Sequence, residues 1–166
     1  MIELLLHFLE VSFWSGIAAV GFGILFNIPK RIILTVFILG FSVGFIKFML
    51  LSFNFHIVLA TLIAAFFVGL ISYPIAHKIH HPPVVFSIPT VIPMIPGYFA
   101  YETVLSIMKF IFLEVDKTKR LELLDAIFTN GFNMIYILIA ITIGVSLPLL
   151  LLNKSSVKQL KNKSNL

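Results

Sequence analysis

Ser87-Ile88-Pro89-Thr90-Val91-Ile92-Pro93-Met94-Ile95-Pro96-Gly97-Tyr98 is an apolar stretch carrying three prolines within eight residues. Each proline removes a backbone donor and crowds the carbonyl of the preceding turn. Each also pushes its predecessor, here Ile88, Ile92 and Ile95, towards extended backbone. Such a run cannot be a single kink in a regular helix. Its flanks are nevertheless as oily as a membrane span, and an unpaired backbone group facing lipid costs several kcal/mol. The reading that satisfies both facts is a broken or re-entrant element, packed inside protein or lining a wet cavity. A proline-rich crossover just beneath the headgroups is the structural alternative.

The rest of the chain supplies the membrane. Sixty per cent of the 166 residues are hydrophobic and 11% are charged, with a mean hydropathy of +1.09. A soluble domain carries roughly a quarter charged residues to cover its surface. A span needs about 20 apolar residues, and five segments qualify: about Leu4–Ile28, Ile32–Phe53, His56–Ala76, Val84–Leu113 and Leu121–Leu152. The expected fold is an all-α integral membrane protein of about five transmembrane helices, the fourth broken by Pro and Gly. The transmembrane region covers residues 1–153, and a solvated, poorly ordered basic tail covers 154–166. As one helix the last segment measures on the order of 48 Å, against a hydrocarbon core of about 30 Å. Either its first turns lie in the interface, which we favour, or it bends near Asn130-Gly131. The first segment lacks a basic leader and a small-residue cleavage site, so it is expected to remain in the mature protein.

Basic residues set the orientation. Lys30, Arg31, Lys78 and the tail residues Lys154, Lys158, Lys161 and Lys163 make seven on one side, against Lys117, Lys119 and Arg120 on the other. The N-terminus is expected outside and the C-terminus in the cytoplasm, across the cell's inner membrane. The net charge of +5 is thus a topology signal. No basic stripe with interleaved aromatics points to nucleic acid.

Candidate functional residues cluster after the break. Gly97 lets the chain turn, and a helix restarting there aims its positive end at an anion. Tyr101 and Glu102 follow one turn later. A carboxylate in an apolar run is a functional candidate by default, for proton coupling or for an amine; facing the interface or pairing with Lys109 is the structural alternative. Lys47 reads as a snorkelling residue, and His7 and Glu10 read as interface residues. Asn27, Asn130 and Asn133 lie near apolar ends, where amides cap or cross-link helices. Gly16, Gly21, Gly23 and Gly40-x-x-x-Gly44 permit close helix approach. His77, His80 and His81 have a helical metal-ligand spacing with no carboxylate or thiol nearby, so a solvated loop is the preferred reading and no metal or cofactor is expected. Cysteine is absent, and no Walker loop, nucleophile elbow or His-Glu-x-x-His motif occurs, so no catalytic residue is assigned.

Three stretches resemble the threonine/serine exporter (ThrE) family, in particular its YjjB-like small membrane subunit. They are Ala19-Val20-Gly21-Phe22-Gly23-Ile24-Leu25-Phe26-Asn27-Ile28-Pro29, then Val91-Ile92-Pro93-Met94-Ile95-Pro96-Gly97 with Tyr101, then Thr129-Asn130 with Ile143-Gly144-Val145-Ser146-Leu147-Pro148. The resemblance implies secondary export, without ATP, of small amino acids (threonine, serine) or of dicarboxylates such as succinate. It also implies a YjjP-like larger membrane subunit as partner, with a homo-oligomer as the alternative assembly. Asn27, Pro29, Pro93, Pro96, Gly97, Tyr101 and Asn130 fall on motif positions; Glu102 departs from them. The substrate-binding set is therefore Pro93, Pro96, Gly97, Tyr101 and Glu102, supported by Asn27 and Asn130. A non-transporting membrane scaffold would use the same helices with the broken segment buried dry. A membrane-embedded enzyme would need convergent acids, bases or ligands that the sequence does not supply.

Overall fold

The computed structural model describes residues 2–112 and 116–163, and every regular element in it is helical. In order these are α1 (Ile2–Leu25), α2 (Ile33–Ser52), α3 (Ile57–Ile79), α4 (Val84–Val91), α5 (Gly97–Phe112) and α6 (Lys117–Lys163), with 3-10 turns at Lys30–Ile32 and Ile92–Met94. Four helices are long and apolar enough to cross a membrane, and the pair α4–α5, taken as one broken span, makes five. The chain divides into two units: Met1–Met94 with Ala140–Leu166, and Ile95–Ile139.

The first unit is built on small residues. A Cβ at Gly40 would lie 2.6 Å from the Ala19 Cβ and 3.2 Å from the Gly16 Cα, and one at Gly44 would lie 2.8 Å from the Ser15 Cβ. Residues 40 and 44 therefore ride on residues 19 and 15 in antiparallel register, and α1 and α2 touch almost backbone to backbone. This is the close approach expected of Gly16 and the Gly40-x-x-x-Gly44 pair. Gly21 differs, with nothing near its missing Cβ.

α3 and α6 form a second seam. A Cβ at Gly144 would meet the Ala65 Cβ at 2.7 Å, and one at Gly69 would meet the Val145 carbonyl at 2.6 Å. Here both residue numbers rise together, so this part of α6 runs parallel to α3.

α1, α2 and α3 end alike. Asn27 (φ 52°), Asn54 (φ 60°) and His80 (φ 58°) are the three non-glycine residues with left-handed backbone among the described residues. At Asn27 its N–H donates to the Ile24 carbonyl (3.0 Å) and the Ile28 N–H to that of Gly23 (3.1 Å), the paired bonds that close a helix C-terminus. Ile28 then folds back over Gly23, where its Cδ1 would lie 2.5 Å from any Cβ. Asn27 is thus a helix stop, the default role for an amide at that position. At the start of α3 the His56 Nδ1 accepts from the Val58 N–H at 3.3 Å.

The break in the fourth segment is narrower than three prolines suggest. Pro89 sits inside α4, and Ile92 is right-handed helical (φ −56°, ψ −41°) rather than extended. Only Ile95 and Pro96 leave the helical path, where the Gly97 N–H donates to the Ile95 carbonyl at 2.8 Å. The reason is burial. Phe86, Ser87, Pro89, Thr90 and Val91 are buried, and α4 packs on α1, α2 and α3 together. Proline's local penalty is overridden where packing holds the helix and no lipid meets the freed carbonyl. Phe86 anchors this end against Ile32, Leu39 and Ala76.

Two further expectations change. α3 continues three residues past Ala76, and Pro74 lies within it. The basic tail, expected to be poorly ordered, continues α6 through Lys163; Val157, Gln159 and the lysines contain no helix breaker after Pro148. α6 is one continuous helix through Asn130-Gly131.

In the second unit α5 and the first half of α6 meet where Gly131 faces Thr103; a Cβ there would have ordinary contact, at 3.6 Å. The Arg120 guanidinium lies 4.8 Å above the Phe110 ring, a cation–π contact that ties the start of α6 to the end of α5.

Candidate functional site

The seven sequence-predicted residues fall in both units. In the first, Asn27 is exposed at the end of α1, and Pro93 is half-buried in the 3-10 turn after α4. In the second, Pro96 is buried at the break and Gly97 opens α5 with open space beside its Cα. Tyr101 is 63% exposed, and Glu102 is half-buried on the same helix. Among the described residues Glu102 has no ion-pair partner, so it does not pair with Lys109. Asn130 is half-buried within α6, where its Nδ2 donates to the Ala126 carbonyl at 2.9 Å. That back-bond leaves its carbonyl oxygen available and makes it a mid-helix residue, not the opening of a segment.

A cavity of about 370 Å³ lies in the first unit between the end of α1 and the start of α4. Asn27, Ile28 and Pro29 form one wall, and Val85, Ile88 and Pro89 form the other. Of the seven residues it holds Asn27 alone. A few polar groups in an otherwise apolar hollow of this size are what a small-molecule site requires. Asn27 reaches it because the helix stop turns the chain there, and Pro89 because α4 is held inward.

His81 also lines this cavity, and a neighbouring one of about 440 Å³ is lined by Tyr73, His77, His80 and again His81. The sequence reading placed these histidines in a solvated loop. His77 and His80 are indeed exposed, but His81 is half-buried, and the loop borders two hollows. Among the described residues no group of three or more His, Cys, Asp or Glu side chains could hold a metal. The left-handed turn at His80 breaks the helical face that the metal spacing assumed. Tyr73 and His77 meet edge to face at 4.5 Å between ring centroids.

The interior of the first unit is not wholly dry in character. Several hydroxyls on the spans bond back to the preceding turn, as Thr90 does to the Phe86 carbonyl at 2.7 Å. Thr61 and Ser72 on α3 and Ser87 on α4 do not; all three are buried without a hydrogen-bond partner. An orphaned buried hydroxyl costs about 1–3 kcal/mol. Since Thr61 and Ser72 are 0% exposed and Ser87 is 1% exposed, neither lipid nor a neighbouring chain reaches them. Sequence reasoning missed them because serine and threonine in a span ordinarily satisfy themselves.

The chain is similar to known proteins over most of its length. A protein of Haemophilus influenzae, described only as an uncharacterized protein, is 30% identical over 147 residues, which is 89% of this chain and 48% of that one. The chain therefore spans about half the length of the curated relative it matches. No solved structure matches. Residues 11–151 match the family described as "Threonine/Serine exporter, ThrE". That match takes in Asn27, the proline-broken segment and α6 up to Leu151, and on it the chain belongs to the threonine/serine exporter family.

Proposed function

We propose that the chain is one half of a secondary exporter of small solutes. Its cargo is threonine and serine or dicarboxylates such as succinate, and it works in the inner membrane with a YjjP-like larger subunit. The observation that carries this reading is α4, a short proline-bearing helix held inside the first unit with a solute-sized hollow against Asn27. Discontinuous helices of this kind build solute sites in transporters, because freed backbone groups and helix ends point at the cargo. In this reading Pro93, Pro96 and Gly97 shape the site, Tyr101 and Glu102 contact the solute, and Asn27 and Asn130 support it.

The test is efflux of labelled threonine, serine and succinate from preloaded cells. Cells expressing this chain with the larger subunit should release at least one of the three faster than cells expressing either chain alone. Equal retention of all three in every strain would reject the exporter reading.

The same reading places the N-terminus outside and the C-terminus in the cytoplasm, on the seven-to-three excess of basic residues. A phosphatase fused after Leu166 should be inactive and a cytoplasmic fluorescent reporter there should glow. The reverse pattern would invert the orientation.

A further inference from the structure

We infer that the cavity lined by Tyr73, His77, His80 and His81 is a carboxylate-binding vestibule, from which solute passes His81 to reach the hollow at Asn27. This deepens the exporter reading and rests on it.

The two cavities are neighbours with a shared wall. His81 and Val84 line both, one in the turn between α3 and α4 and the other as the first residue of α4. At about 440 Å³ and 370 Å³, each falls in the range of small-ligand pockets.

The lining chemistry selects an anion. The first cavity offers three imidazoles and one phenol, with Leu149 and Leu150 of α6 opposite, and no carboxylate. Imidazole and phenol donate hydrogen bonds, and a protonated imidazole adds charge. The second cavity adds the Asn27 amide and again contains no acid. An amine would find no counter-charge in either. The charged residues of the described chain near this end are Lys78 on α3 and Lys30 and Arg31 ahead of α2, all basic and all exposed. At the turn itself, Pro82 and Pro83 have no N–H, and the Val85 and Phe86 N–H groups are taken by the Pro82 and Pro83 carbonyls. The Val84 N–H, on the residue common to both cavities, has no such partner. A carboxylate seated beside His81 meets side-chain donors and this backbone donor together.

Among the described residues the three histidines do not form a group that could hold a metal.

The chain has no cysteine, so Val84→Cys supplies the chain's sole thiol at the shared wall. In membranes holding the full chain with its partner, 10 mM-range succinate should slow labelling of that thiol by a water-soluble maleimide, and the uncharged diamide of succinate should not. Combining Val84→Cys with His77→Gln, His80→Gln and His81→Gln should remove the protection, because glutamine keeps polarity and drops the cationic form. In inside-out vesicles the triple glutamine variant should raise the half-saturating succinate concentration about tenfold, the loss of a charge-assisted hydrogen bond, with the maximal rate within about twofold. Protection by the diamide as strong as by succinate, or protection unchanged in the glutamine variant, would overturn the vestibule. Vesicles that transport with an unchanged half-saturation would overturn it while leaving the exporter reading intact. If no vesicle transports anything, the exporter reading fails, and thiol protection alone decides whether carboxylates bind here.

Discussion

Replacing Gly144 with leucine is expected to abolish recovery of folded protein, while the same change at Gly21 is tolerated. At Gly144 a Cβ would lie 2.7 Å from the Ala65 Cβ, 2.9 Å from the Leu62 carbonyl and 3.0 Å from the Phe66 nitrogen. Two of these are backbone atoms, which cannot rotate away, so α3 and α6 would have to separate. The facing residue offers no relief, since a Cβ at Gly69 would already meet the Val145 carbonyl at 2.6 Å and the Pro148 ring at 3.1 Å. Overpacking of a tight contact costs about 1–3 kcal/mol and occasionally more, and a four-carbon side chain against backbone belongs at the upper end. In a membrane no hydrophobic drive pulls the helices back together, because lipid solvates leucine as well as protein does. Gly21 has nothing within 4 Å of its Cβ position and serves as the matched control. The measurement is the monodisperse fraction and thermal midpoint in detergent. A Gly144→Leu protein as well behaved as Gly21→Leu would mean that α3 and α6 do not pack as described.

That seam matters beyond stability because it fixes the path of the chain. α1 and α2 are antiparallel through Gly40 and Gly44. α2 and α3 bring Ile32 and Leu39 beside Ala76, with Phe86 of α4 at the same end. Within this unit the parallel α3–α6 contact sets the later part of α6 in the same direction as α3.

How much of this could be read from sequence depends on whether the cause is local. Span number is local, since runs of 20 or more apolar residues are visible without a partner. Glycine pairs were legible as contacts but not as partners: Gly40-x-x-x-Gly44 announces close approach, yet nothing in it names Ser15 and Ala19. Gly69 and Gly144 lie 75 positions apart, and their seam is visible only in three dimensions. The proline segment was read correctly as broken, but with Ile88 and Ile92 pushed towards extended backbone. Local rules gave Ile92 an extended backbone, and packing of α4 among three spans outweighed them. The histidine turn was read as a solvated loop, and His77 and His80 are exposed, but that Leu149 and Leu150 of α6 line the same hollow is visible only in three dimensions. Asn27 was placed in both its possible roles, and the structure realises the structural one in its backbone while its side chain borders the cavity.

Replacing Pro93, Pro96 and Gly97 together with alanine is expected to reduce export to background while leaving the protein inserted and folded. The three residues stand at the one place where the fourth segment leaves the helical path. Alanine restores two missing N–H donors, to the carbonyls of Pro89 and Ile92, and removes two ring clashes. Each proline in a helix interior is worth about 3 kcal/mol relative to alanine, and glycine about 1 kcal/mol. With those terms relieved, nothing local prevents α4 and α5 from becoming one helix of residues 84–112, about 43 Å long at 1.5 Å per residue. Such a helix exceeds the hydrocarbon thickness and spans well, so insertion should not suffer. It also erases the turn at Ile95 and Pro96, and a break of this kind is what a discontinuous helix offers to a solute. Removing a proline is not in itself the insult, and Pro74→Ala shows the difference: Pro74 is exposed inside the continuous α3, and its replacement should leave export unchanged. The measurement is efflux of labelled solute normalised to the amount of chain in the membrane, for the triple variant, Pro74→Ala and the parent. Full export by the triple variant would mean that the break serves packing alone, and the solute path would then have to be sought along α4 and the two cavities beside it.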